Sequence, residues 1–190
     1  MVNDQLFNNG TLMQTSPVSG SLDIPFFDTG GYGGVLINPN GQDLGNTTVQ
    51  ISGSLNCLDF GETVQRCFDI SPTNLPASGT TLTFFFDSSD LGFLNCETLN
   101  VYHDINGVWE LMILDTTYDD DGRLCGNDPQ SVRITGVTEY SRFVILEQEP
   151  TAITVENFTA RPVSEFIIPL IALFGLTGLA IVFIIKNSPN

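Results

Sequence analysis

Basic side chains are almost missing from this chain: six Lys and Arg stand against 22 Asp and Glu in 190 residues, for a net charge of −16. That deficit excludes nucleic acid and anionic lipid headgroups as partners, because both are gripped through clusters of Lys and Arg. Its plainest meaning is a solvated acidic surface that keeps an exported protein soluble. There is one histidine, so zinc and histidine-based acid–base chemistry have little to work with. No phosphate loop, nucleophile elbow or metalloprotease signature occurs. A carboxylate pair for glycoside hydrolysis is the one enzymatic option that spacing leaves open, and the chain is read as a non-enzyme. The opening MVNDQLFNNG has no basic n-region and no apolar h-region, so it is not expected to be a signal peptide. An export signal would then belong to a longer gene product, or the head would translocate without one.

What the chain does have is one long apolar run. Phe166 to Ile185, FIIPLIALFGLTGLAIVFII, is 20 residues without a charge. As a helix it would be about 30 Å long, the hydrocarbon thickness of a bilayer. Pro169 falls in the first turn, where its missing N–H costs nothing. A buried core helix is the competing account, but such helices keep a polar face and this one has none. A removable sorting tail is another, although no LPxTG motif is present. The run is therefore read as a single transmembrane helix, with the lipid bilayer as its partner. Arg161 before it and Lys186 after it tie the local basic count. All acidic residues and all four cysteines precede the run, and the only lysine follows it. That segregation points to an extracytoplasmic head and a short cytoplasmic tail.

Residues 1–34 are rich in Gly, Asn, Ser and Thr, and read as loops with short edge strands. Residues 35–148 are expected to form an all-β domain, followed by a linker strand over 149–165, the helix over 166–185 and the tail 186–190. Val49, Ile51, Gly53 and Leu55 alternate with Thr48, Gln50, Ser52 and Ser54, the period of a half-buried strand. Further strands are expected over 64–70, 80–86, 98–105, 108–117, 131–137 and 142–147. In LTFFF, Leu82, Phe84 and Phe86 share one face and Phe85 the other. Asn106-Gly107, between VYHDI and VWELMI, favours positive φ at both central positions of a type I′ hairpin turn. Some seven short strands with turn residues between them predict an antiparallel β-sandwich, with a closed barrel as runner-up.

Four cysteines in an exported head imply two disulfides. Of the three possible pairings, Cys57 with Cys67 and Cys96 with Cys125 is expected, because sequential pairs close loops around neighbouring strands without crossing. Zinc is disfavoured, since neither gap has a short Cys-x₂₋₄-Cys hook. The cluster able to carry chemistry is TTYDDDGRLCGNDP, residues 116–129. Asp119, Asp121 and Asp128 partly match a calcium loop around Gly122, but Thr117 stands where the first Asp belongs and Asp128 replaces the bidentate Glu. A solvated acidic turn is the alternative, and calcium is the one cofactor the chain could take. His103 falls on the strand face of Leu99, Val101 and Ile105, as a hydrogen-bonded packing histidine would. Sequons at Asn9, Asn46 and Asn157 matter only in a glycosylating host.

A family resemblance rests on six stretches in order: GGYGGVLINPNGQDLGNTTVQISG, ETVQRCFDISPTN, TLTFFFDSSDLG, CETLNVYHDINGVWE, DDDGRLCGNDPQSVRITGVTEYSRFVI and PTAITVENFTA. Over roughly residues 30–160 the chain resembles the C-terminal module of large bacterial cell-surface proteins, which precedes a membrane anchor or sorting tail. Asp104-Ile105 departs from the family's usual aromatic in the hairpin, and Arg142 from a small residue or Pro after Ser141. The resemblance implies a β-rich stalk or display module, with no catalytic residues to transfer. The function expected is a membrane-anchored structural or display module on the cell surface. A calcium-dependent module binding a surface glycan or protein is the alternative.

Overall fold

Runs of β-branched and aromatic residues bounded by Gly, Asn and Asp turns become strands, and among the described residues no long helix competes with them. A computed structural model of the chain describes residues 10–27, 34–58, 61–119 and 121–147. The expected linker 149–165, the apolar run Phe166 to Ile185 and the tail 186–190 lie outside the described residues. Among the described residues no helix is long and apolar enough to cross a membrane.

The strands form two antiparallel sheets. From edge to edge the first holds β1 (Thr11–Gly20), β4 (Gln42–Gly53), β5 (Arg66–Pro72), β12 (Arg142–Leu146), β7 (Asn100–Ile105) and β8 (Val108–Leu111). The second runs β10 (Arg123–Leu124), β11 (Gln130–Val137), β6 (Thr80–Phe86), β3 (Val35–Asn38) and β2 (Ile24–Phe26). A further short strand, β9 (Ile113–Leu114), pairs with β11 beside β10. Two single 3₁₀ turns, Ser88–Asp90 and Cys96–Thr98, lie between β6 and β7.

One core fills the space between the sheets. Val49 and Ile51 of β4, Phe68 and Ile70 of β5, and Phe143 and Ile145 of β12 meet Leu82, Phe84 and Phe86 of β6. Phe84 sits 4.9 Å from Phe68, edge to face, and 5.4 Å from Phe143, so one ring of the second sheet joins two of the first. Edge-to-face contacts of this kind add about 0.5–1.5 kcal/mol beyond the area they bury. Phe85 points the other way and is only half-buried, as the LTFFF alternation predicts.

Three expectations need correction. The edge strand expected within residues 1–34 is long and not short: β1 pairs with β4 over ten residues, Thr11 to Gly20. Pro17 does not break β1. Gly10 accepts from Gly53 N–H, which places Thr11, Met13, Thr15 and Pro17 with their backbone groups turned away from β4. On that open edge a missing N–H costs no ladder bond. The single strand expected over 108–117 divides at Met112, whose N–H still donates to Val101 of the first sheet, while Ile113 and Leu114 pair with the second. Leu55, expected on the buried face, is 43% exposed, because β4 ends at Gly53 and Ser54 turns the chain at φ 56. Asn106 and Gly107 do turn the β7–β8 hairpin, both at positive φ (56 and 86).

Arg66 fixes one end of the stack. It enters β5 on the core side and is 3% exposed. Its guanidinium donates to Phe85 O at 3.2 Å and Asp87 Oδ2 at 3.1 Å, and lies 2.8 Å from Asp90 Oδ2, all on the opposite sheet's side. Removing one partner from a buried ion cluster leaves charge uncompensated. Arg66→Ala should therefore lower the unfolding free energy by about 3–5 kcal/mol in urea titrations, and a loss below about 1 kcal/mol, the scale of an exposed pair, would contradict a sheet-joining role.

Candidate functional site

The acidic loop between β9 and β10 is shaped by its own hydrogen bonds. Asp115 Oδ1 accepts from Thr117 N at 3.1 Å and Thr117 Oγ1 at 2.6 Å, which holds the Asp115 carboxyl below the usual carboxylate range. Gly122, at φ 92, donates to Tyr118 O at 2.7 Å. A Cβ there would come within 3.0 Å of Leu114 and 3.2 Å of Arg133 O, so only glycine lets the loop close against the sheet. Asp119 and Asp121 also take positive φ, 28 and 52, which short acidic side chains tolerate.

Asp119 and Asp121 share a cleft of about 520 Å³ with Glu97, Arg123 and the Cys96–Cys125 disulfide. Arg123 is spent on structure: Nε donates to Leu99 O at 2.6 Å and Nη2 to Asn100 Oδ1 at 3.3 Å. Burial lowers its pKa while the Asp121 charge pulls it back up. Asp128 is placed elsewhere. Its carboxylate accepts from Ser88 N at 2.6 Å and Ser88 Oγ at 2.7 Å, anchoring the loop to the turn after β6. The structure thus brings together two of the three expected calcium ligands. Among the described residues no group of three or more His, Cys, Asp or Glu side chains is placed to hold a metal ion.

Both expected disulfides are present, Cys57–Cys67 and Cys96–Cys125, with Cα–Cα spans of 5.4 and 5.8 Å. His103 is a core residue as expected. It stacks on Phe143 at 4.4 Å and its Nε2 lies 2.9 Å from Ser141 Oγ. Burial lowers its pKa against the opposing pull of Glu139, Asp104 and Glu110.

A second feature occupies the outer face of the first sheet. Cross-strand register places Met13, Gln50, Asp69, Arg142, Asp104 and Trp109 in one row over the six strands. Arg142 bonds to Asp104 and lies 5.6 Å from the Trp109 ring centroid. Beside the row, Tyr102, Val144 and Leu146 form a small apolar cluster under Cys57, Leu58 and Trp109. Between these lies a groove of about 140 Å³. Sequence reasoning did not find it. Gln50 and Asp69 were legible as polar residues alternating with core positions, but the β5–β12–β7 order that aligns them is non-sequential and leaves no local signal.

Comparison of the chain with protein-family models, with curated proteins and with solved structures found no match.

Two outcomes follow from these placements. His103 has a lowered pKa, so below its ordinary value of 6.5 the unfolded chain binds the proton first. The stability it confers is complete above that pH and is lost as pH falls through the folded-state pKa. With one histidine in the chain, His103→Gln should flatten the fall in melting temperature between neutral pH and about pH 5, and parallel curves would refute it. Asp128→Ala should cost about 1–3 kcal/mol whether or not calcium is present. A loss seen only with calcium would make Asp128 a metal ligand instead.

Proposed function

We propose that this chain is a membrane-anchored, extracytoplasmic structural or display module of a bacterial surface protein, without catalytic chemistry. The observation that carries the reading is the pairing of two features. The sandwich body closes two disulfides, the mark of an oxidising compartment. The sequence then runs into 20 uncharged residues, 166–185, long enough to span a bilayer. The net charge of −16 suits a solvated head and disfavours adhesion to anionic lipid. The resemblance to the C-terminal modules of large bacterial surface proteins adds the stalk or display role. The same topology leaves Lys186 on the cytoplasmic side.

Protease added to intact cells should remove the epitopes of residues 11–146 while a tag fused after Asn190 stays protected. Protection of the head until the cells are lysed would overturn the topology, as would release of the protein by a carbonate wash, which leaves spanning helices in place.

A further inference from the structure

We propose that the groove on the outer face of the first sheet binds a neutral saccharide, through Gln50, Asp69 and Arg142 with Trp109 and the Cys57–Cys67 disulfide as its apolar walls. The inference does not depend on where the chain is anchored, nor on the acidic loop.

Asp69 stands on β5 between Gln50 and Arg142 in the polar row. Arg142 stands directly opposite it on β12, within easy reach for an ion pair. Arg142 instead bonds to Asp104 on its other side and lies against Trp109. Asp69 is exposed, and its carboxylate makes no hydrogen bond or ion pair with the described residues. Gln50, its neighbour on β4, is exposed and uncommitted in the same way. Side chains opposite each other on adjacent strands lie about 4.5–5.5 Å apart. The row therefore presents three planar, two-pronged groups side by side: an amide that donates and accepts, a carboxylate that accepts, and a guanidinium that donates.

Vicinal hydroxyls suit that set, because each can donate to the carboxylate or accept from the guanidinium and both can pair with the amide. The charge balance selects against anionic ligands. Arg142 is neutralised by Asp104, leaving one carboxylate in the groove of a protein with net charge −16. A phosphorylated or sulfated ligand would meet Asp69 and the overall negative field. A neutral polyol meets no such repulsion, and its hydroxyls use both the Asp69 acceptor and the N–H donors of Gln50 and Arg142, which a simple cation would leave unmatched. The walls supply what the C–H face of a sugar ring packs on: the half-buried indole of Trp109, the disulfide, and Val144 between them. At about 140 Å³ the groove is smaller than the roughly 300 Å³ of the smallest drug-sized pockets. That size fits one ring seated in the groove and the rest of the glycan lying over the open strand face. All the polar groups stand on strands and not on loops, so the site is held in place before any ligand arrives.

Trp109 is the only tryptophan in the chain, so intrinsic fluorescence reads this groove alone. The full chain, kept in a detergent without a sugar headgroup, is titrated with neutral oligosaccharides of β-1,4-glucose, α-1,4-glucose, β-1,4-mannose and β-1,4-N-acetylglucosamine. At least one should shift the emission saturably, and equally with EDTA present. The Gln50→Ala, Asp69→Ala double variant should melt with the parent, since both side chains face solvent, and bind about tenfold or more weakly. The proposal is overturned if no probe moves the emission, or if the double variant binds as the parent does. It is overturned too if the emission follows protein concentration in place of sugar, which would mean that another copy of the chain covers the face.

Discussion

Arg66, Cys67, Phe68 and Asp69 are consecutive on β5, and the strand's period of two sends them alternately to opposite faces. Arg66 and Phe68 go inward, to the buried ion cluster with Asp87 and Asp90 and to the aromatic contact with Phe84. Cys67 and Asp69 go outward, to the Cys57 disulfide and to the polar row. Shifting the register of β5 by one residue would bury a carboxylate and expose a phenylalanine. Both faces of the first sheet thus hang on one register, and the register is fixed by β4 on one side and β12 on the other.

The two faces do different work. The inner face joins the sheets, and two of its polar members are held by neighbours: Arg66 by the opposite sheet, His103 by Ser141. The outer face is divided. One part is sealed by the loop that carries Cys57 and Leu58 over Tyr102 and Val144. The other leaves Gln50 and Asp69 in solvent beside a tethered arginine. The disulfide stands at the boundary between them. In the chain-entropy account its closed loop of about ten residues contributes about 3 kcal/mol by restricting the unfolded chain.

Local chemistry explains what was legible in the sequence. Asn106-Gly107, the LTFFF alternation and the sequential cysteine pairs each depend on residues near one another in the chain, and each appears as expected. The failures at Pro17, Met112 and Asp128 involve distant partners. Thr11–Gly20 read as part of a loop-rich segment with short edge strands because a long strand tolerates Pro17 only if β1 is an edge, a property of sheet order. WELMIL carries no mark of the point where Met112 leaves one sheet for the other. Asp128 looked like a closing calcium ligand because its actual partner, Ser88, is 40 residues away. The polar row was invisible for the same reason: its members come from six strands whose order in the sheet does not follow the chain.

A sandwich closed by two disulfides belongs in an oxidising compartment, and the redox state of the protein in its own cells tests that link most directly. Protein from cells lysed in an alkylating agent, digested without reduction and mapped by mass spectrometry, should yield only the linked peptides Cys57–Cys67 and Cys96–Cys125. Four alkylated thiols would place the body in a reducing compartment and contradict the account, and crossed pairs would contradict the strand order on which the groove depends.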